Sequence, residues 1–317
     1  MDENTKIKIF FFGTSAFAVP ALEALIQNAY TPVSVVTNPD EPAGRKRLLT
    51  PPPIKILAEQ HGIRIFQPEK LDDARFVSEI PRADLFIVAA YGKIIPASML
   101  AMPKFGALNI HPSLLPRYRG PSPIQSAILS GDPETGVTIM QMDERMDHGP
   151  IVARSKIQMA NGKLTYPILH DRLAELGAHL LIETLPRWIN GAITPTPQDD
   201  ARATYCKLLT KDDGRIDWTK SAEELERMVR AFQPWPGTWT VWESGSKRIK
   251  IEAASWIADA IPEGILGQVW HNTQNPLLIQ SGRGSLTIKR LGIEGKKIVD
   301  VEQFLHGHPS IIGAVLP

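Results

Sequence analysis

Short apolar runs alternate with helical stretches over the first part of the chain, and a cluster of short strand-like runs fills its end. Together they predict an α/β protein of two domains: a Rossmann-like, doubly wound, mostly parallel sheet followed by a small OB-like β-barrel. A Pro-, Thr- and Asp-rich segment at 191–203 lies between them, so the expected organisation is 1–190, a linker at 191–203, and 204–317. With 317 residues, each domain can bury a core of its own.

The elements follow in order. Lys6–Phe12 is apolar and aromatic and stops at Gly13, the pattern of a strand running into a tight turn. Phe17, Leu22, Leu25 and Ile26 then recur at helical spacing, with Pro20 early enough to be tolerated in a first turn. Val33–Thr37 is β-branched and reads as a strand; the basic, Pro/Gly-rich stretch Asn38–Pro53 follows it. Ile54–Gln60 predicts a helix, Arg64–Phe66 a short strand, and Leu85–Ala89 and Leu108–His111 two more strands. Apolar strands separated by helices argue for a parallel sheet covered on both faces.

Beyond residue 147, Tyr166–Leu185 predicts a long helix, with Ile168, Leu169, Leu173, Leu176, Leu180 and Leu181 on one broad face. Ser221, three residues before Glu224, carries a capping-box signature for a helix over Ser221–Phe232. The runs Thr240–Glu243, Ile249–Ala254, Gly267–Val269, Leu277–Gln280 and Ser285–Leu291, punctuated by Gly and Asn, suggest the barrel.

Composition excludes several classes. The 35 Lys/Arg against 34 Asp/Glu rule out a protein working by a global basic field, while leaving room for a local basic patch. At 43% hydrophobic and 22% charged residues, whole-chain disorder is excluded. No apolar run approaches the ~20 residues needed to span a bilayer. The acidic Met1-Asp2-Glu3-Asn4 start lacks an apolar h-region, so no signal peptide is expected. Cys206 is the single cysteine, which removes any intrachain disulfide or cysteine-built metal cage and points to a reducing cytoplasm. The histidines are scattered apart from His306 and His308, which read as solvent-facing loop residues, and no metal is expected.

Gly13-Thr14-Ser15-Ala16-Phe17 sits where a dinucleotide fingerprint would, but lacks its second and third glycines, so an NAD-dependent dehydrogenase is not expected. The densest polar cluster runs from Asn109 to Gly120. Residues two apart in a strand share a side, so Asn109 and His111 project together. An amide beside an imidazole suits stabilisation of an oxyanion and movement of a proton; equally, both can satisfy backbone groups at a strand end. Asp147, in Asp143-Glu144-Arg145-Met146-Asp147-His148-Gly149-Pro150, supplies a carboxylate that could meet the histidine, and the same residues would also form a plain turn.

Asn109-x-His111-x-Ser113-Leu-Leu-Pro116-x-Tyr-Arg-Gly120, followed by Gly136–Asp143 and Asp147-x-Gly149, resembles the folate-dependent formyltransferase family. Thr37-Asn-Pro-Asp40-Glu-Pro-Ala-Gly-Arg45, Arg215-Ile-Asp-Trp218 and Arg230-Ala-Phe-Gln-Pro-Trp-Pro-Gly237 narrow the resemblance to the branch acting on methionyl-tRNA or its close paralogues. It covers nearly the whole chain. The first loop reads Gly-Thr-Ser-Ala-Phe where the family commonly has Gly-Thr-Pro-Asp-Phe, and Pro112 and Pro121-Ser122 also depart from the branch pattern.

The resemblance implies transfer of the formyl group of 10-formyltetrahydrofolate, a co-substrate, to the α-amine of methionyl initiator tRNA, with no metal and no covalent enzyme intermediate. Asn109 and protonated His111 would hold the oxyanion; Asp147 would orient His111 and help remove the amine proton. Ser113, Leu114, Leu115 and Pro116 would border the folate, and the strand end Ala89-Ala90-Tyr91-Gly92 and the loop around Gln141–Met146 would offer backbone groups to the pterin. Arg45, Lys46 and Arg47 would form an arm entering the acceptor stem, although a solvated basic loop is the plain alternative.

Lys247 and Arg248 belong to a C-terminal surface with eight Lys/Arg against five acids between 245 and 300. Trp235, Trp239, Trp242 and Trp256 read as packing residues. The implied partners are the tRNA and the folate, with no membrane, for a monomeric chain. The same chemistry on an amino-sugar nucleotide or glycinamide ribonucleotide stays open as an alternative, as does a non-enzymatic folate- or RNA-binding module.

Overall fold

The computed structural model describes residues 7–44, 48–80, 82–159, 164–242, 247–260 and 264–317. Arg45, Lys46 and Arg47 lie outside the described residues. The chain divides into two compact units, the first comprising 1–123, 134–158 and 170–207, the second 124–133, 159–169 and 208–317.

The first unit is built from β1 (Ile9–Gly13), α1 (Val19–Gln27), β2 (Ser34–Val36), β3 (Glu41–Ala43), β4 (Leu48–Thr50), α2 (Pro53–Gln60), β5 (Arg64–Phe66), α3 (Ala74–Glu79), β6 (Leu85–Ala89), α4 (Ala97–Leu100) and β7 (Ala107–His111). After α5 (Pro123–Ser130), which falls almost wholly in the second unit, come β8 (Glu134–Gln141), β9 (Ile151–Gln158) and most of α6 (Tyr166–Ile189). The sheet order is β5-β2-β1-β6-β7-β8-β9. Its first five strands are parallel, β8 pairs antiparallel with β7, and β9 pairs antiparallel with β8.

β1 and β6 are buried along their whole length, which explains why both read as unbroken apolar runs rather than alternating ones. Phe12 packs on Phe86 at 5.0 Å between centroids and meets the Tyr91 ring edge-on at 5.5 Å. From β1 the chain builds outward to β2 and β5, then crosses to β6 and β7 on the other side, so the strand order reverses between β1 and β6. The carboxyl ends at such a reversal are where open α/β sheets bind ligands.

Two parts of this unit were not expected. β8 and β9 extend the sheet as an antiparallel pair; β8 is buried on both faces, and β9 alternates as an edge strand does. The segment with linker composition is hydrogen-bonded along the unit: Thr196 and Ile151 exchange backbone bonds of 2.7 and 2.9 Å, and Arg119 donates to the Thr204 carbonyl. Its Pro, Thr, Gln and Asp residues show no periodicity because they serve as individual partners, not as a strand or helix face.

The second unit contains α7 (Ala222–Ala231), β10 (Thr238–Trp242), β11 (Lys247–Ile257), β12 (Val269–Trp270), β13 (Leu278–Gln280), β14 (Ser285–Ile293), β15 (Val299–Asp300) and α8 (Val301–Gly307). The strands form an antiparallel β domain in the order β10-β11-β14-β13-β12, with β15 on β14, so β10 and β12 end the described strand path. α7 starts in the expected capping box, with Glu224 N–H donating to Ser221 Oγ and Ser221 N–H donating to the Glu224 carboxylate. It packs on β11 and β14, with Leu225 and Val229 buried. No helix among the described residues is long and apolar enough to cross a membrane.

Candidate active site

Asn109 and His111 lie on β7, two residues apart on one side of the strand, and Asp147 reaches them from the turn between β8 and β9. Asn109 Nδ2 lies 3.5 Å from Asp147 Oδ1, and His111 Nδ1 lies 3.6 Å from the same oxygen. The other carboxylate oxygen accepts the Gly120 N–H at 2.8 Å. His111 is buried (5% exposed), and its Nε2 contacts the Tyr118 carbonyl at 2.9 Å. A carbonyl can only accept, so Nε2 carries a hydrogen and Nδ1 is the edge facing the carboxylate and the amide. An amide, an imidazole and a carboxylate thus converge on one point.

The backbone is held in uncommon conformations to achieve this. Among the described non-glycine residues with positive φ, three frame the site: Ala90 at 43°, Tyr118 at 58° and Asp147 at 48°. Such conformations cost about 1–3 kcal/mol each and persist where surrounding bonds fix them. Gly120, with φ 114°, has no room for a side chain, since a Cβ would press on the Cys206 backbone.

The 113–116 loop is organised from β8 and β9. Thr138 Oγ1 donates to the Ser113 carbonyl at 2.7 Å and accepts the Leu115 N–H at 3.1 Å, while Arg154 donates to the Leu115 carbonyl. Ser113 Oγ turns inward to the Arg117 carbonyl, and Leu115 is wholly buried, leaving Leu114 and Pro116 partly exposed. Ala90 and Gly92 are exposed at the end of β6. Tyr91 between them points into the core, where burial pushes its phenol up to about 12 and its hydroxyl has no partner among the described residues. Gln141 opposes Leu108, one residue before the Asn109 level; its N–H is taken by the Pro150 carbonyl, and the next N–H, of Met142, by Ala107. The backbone of Gln141 therefore has no free donor. Among the described residues, no group of three His, Cys, Asp or Glu side chains is arranged to hold a metal.

Comparison with known proteins decides the family. The model of the "Formyl transferase" family matches residues 5–185, and that of "Formyl transferase, C-terminal domain" matches 208–309. The methionyl-tRNA formyltransferase of Chloroflexus aggregans is 47% identical over 285 residues, covering 89% of this chain and 91% of its own. That of Lachnospira eligens is 42% identical over 316 residues, covering 98% and 99%. The chain belongs to the methionyl-tRNA formyltransferase family. It is accordingly a formyl-transferring enzyme. The fold is shared more widely: an N-formyltransferase from Helicobacter canadensis, solved with folinic acid and dTDP-3-aminofucose, aligns with a TM-score of 0.66 at 19% identity, over 89% of this chain and 98% of that one. HypX from Aquifex aeolicus, solved with tetrahydrofolic acid, aligns at 0.63 and 20% identity, over 95% and 47%.

For this methionyl-tRNA formyltransferase family member, Lys247 and Arg248 are the remaining candidate residues that the structure describes. The strands β3 and β4 pair antiparallel, and Leu48 and Leu49 on β4 are exposed. Lys247 and Arg248 start β11, where the Arg248 guanidinium stacks on Trp239 at 3.9 Å and the Lys247 ammonium sits over Trp242 at 5.2 Å. Glu294 pairs with Arg248 and also lies within 4 Å of Lys211 and Lys250. Trp239 and Trp242 are buried, as packing residues should be, but Trp235 and Trp256 are about half exposed. His308 packs against Phe304 and Trp242, so only His306 of that pair faces solvent.

Two polar residues around the site escaped the sequence reading. Arg119 is wholly buried, and Gln198 lies in the segment with linker composition. The available signal was a charged residue, Arg119, inside an otherwise turn-forming run; nothing local marks Gln198.

Proposed function

We propose that this enzyme transfers the formyl group of 10-formyltetrahydrofolate to the α-amine of methionine esterified to initiator tRNA, with Asn109, His111 and Asp147 performing the transfer. The observation that carries this reading is the convergence of Asn109 Nδ2 and His111 Nδ1 on Asp147 Oδ1. Asn109 and the Nδ1–H of a protonated His111 donate to the formyl oxygen as the amine attacks and charge builds on it; one well-aimed donor of this kind is worth about 3 kcal/mol. Asp147 takes the proton that the amine nitrogen loses, directly or through water, and its Gly120 bond keeps the second oxygen in place. Collapse then restores the carbonyl and breaks the bond to the folate nitrogen, which receives a proton. The separations of 3.5 and 3.6 Å are loose for hydrogen bonds, as catalytic contacts often are before substrate tightens them.

The Ser113–Pro116 loop suits the folate because β8 and β9 fix its backbone while Leu114 and Pro116 present apolar surface. A flat heteroaromatic ring binds well between such surface and a few exposed backbone groups, which Ala90 and Gly92 supply. For tRNA, Arg45, Lys46 and Arg47, which the sequence puts between β3 and β4, act as an arm toward the acceptor end. Lys247 and Arg248 add backbone contacts, held in place by their tryptophans.

The test is formyl incorporation from labelled 10-formyltetrahydrofolate into charged initiator tRNA, into amino-sugar nucleotides and into glycinamide ribonucleotide. Incorporation into the tRNA alone is expected. Transfer to a sugar or ribonucleotide instead would overturn the acceptor assignment while leaving the chemistry intact.

A further inference from the structure

Arg119 and Gln198 have no role in the transfer as described, yet Arg119 sits in the chain between the two residues whose backbone holds the reacting pair, and Gln198 binds the backbone of Asp147. Gln198 Oε1 accepts from Arg119 Nε at 3.1 Å and from its terminal Nη2 at 2.9 Å. The amide nitrogen of Gln198 donates to the carbonyls of Asp147, at 2.9 Å, and Gly149, at 2.8 Å. The guanidinium completes its set with Asp200 at 2.8 Å and the Tyr205 hydroxyl at 3.1 Å. In the chain, Arg119 stands between Tyr118, whose carbonyl takes His111 Nε2, and Gly120, whose N–H takes Asp147 Oδ2.

We infer that Arg119 and Gln198 are a positioning pair that sets the separation of the His111 imidazole and the Asp147 carboxylate. Tyr118 and Asp147 both adopt left-handed backbone conformations, which relax unless something holds them. Arg119 anchors the first through its buried side chain, bonded to Gln198, Asp200 and Tyr205, and Gln198 anchors the second by donating to the Asp147 carbonyl. Neutralising the buried guanidinium does not require Gln198, because Asp200 already accepts from it. What Gln198 adds is a side chain that accepts on one end and donates on the other. Glutamate in its place would keep the acceptor, and with a charge, but would turn a second oxygen toward two carbonyls.

The inference rests on the reading of His111 and Asp147 as transfer machinery, and the experiment separates the two. We would compare kcat, KM for both substrates and melting temperature for the wild type, Gln198→Ala, Gln198→Glu and Arg119→Lys. The first substitution would also be placed in an Asp147→Asn background. In both Gln198 variants kcat is expected to fall about 10- to 100-fold, as a displacement on the order of 1 Å does, with little change in either KM. Arg119→Lys, which loses the two-pronged contact, should behave likewise, and it and Gln198→Glu carry the test if Gln198→Ala does not fold. In the Asp147→Asn background Gln198→Ala should have almost no further effect, because the group it positions has gone. Wild-type kcat in Gln198→Glu would overturn the inference, reducing Gln198 to a partner for Arg119. So would a Gln198→Ala effect of equal size in both backgrounds. Full turnover in Asp147→Asn itself would instead overturn the parent reading.

Discussion

Asp147 Oδ1 stands 3.6 Å from His111 Nδ1, while the opposite nitrogen of that ring is committed to the Tyr118 carbonyl. One edge of the imidazole is therefore structural and one is left for chemistry. His111→Ala should lower kcat by orders of magnitude with little loss of melting temperature. Asn109→Ala should cost about 100- to 1,000-fold, the range for a single oxyanion donor. Near-normal turnover in either variant would remove that side chain from the mechanism.

The strand that carries Asn109 and His111 was legible because its signal is local. Leu85–Ala89 and Arg64–Phe66 end where expected, and Asn109 and His111 share a side through strand geometry alone. Ser221 and Glu224 announced α7 for the same reason, since a capping box closes within four residues. β8 and β9 were missed: β8 is buried on both faces, so its Gly, Thr and Met residues show no alternation. The parts that fix the site were harder still to see. Gln198 meets Arg119 across 79 residues and the Asp147 carbonyl across 51, and no window of sequence contains those pairs.

Gly136→Ala offers a test of the folate loop from its far side. A Cβ at Gly136 would lie 2.6 Å from Leu114 Cδ2 and would also press on the Ser155 backbone. Relief requires Leu114 and the β8–β9 pairing to shift, at about 1–3 kcal/mol for an overpacked site. A lower melting temperature and a raised KM for the folate, with the KM for tRNA unchanged, are expected. An unchanged folate KM in a destabilised protein would separate Leu114 from the folate.

Tyr91 makes an opposite prediction. Its hydroxyl is buried without a partner among the described residues, so Tyr91→Phe removes a desolvated polar group and should leave the protein equally or more stable. The KM for the folate should not change, since the contact assigned to Tyr91 is through its backbone. The sign of the pH effect follows from the phenol, which burial raises to about 12 against an ordinary 10. The native state holds this proton more tightly than the unfolded chain does. Ionisation therefore costs the native state more than the unfolded chain, so stability is unaffected by this group below pH 10 and falls as pH rises from 10 toward 12. Denaturation followed across that window should show a shallower alkaline decline in Tyr91→Phe than in the wild type.

Lys247 and Arg248 can be tested by ionic strength. Each is held over a tryptophan ring, and Arg248 shares Glu294 with other cations, so both charges are fixed in place at the start of β11. A cation that neutralises one phosphate contributes about one unit to the slope of log affinity against log salt. Lys247→Ala and Arg248→Ala should each weaken tRNA binding across sequences and flatten that slope by roughly one, while leaving the KM for the folate unchanged. The salt slope is the deciding measurement, because Arg248→Ala also removes packing on Trp239 and could weaken binding through lost stability alone. A variant that binds more weakly with its slope unaltered would place that residue in packing and take it out of the RNA contact.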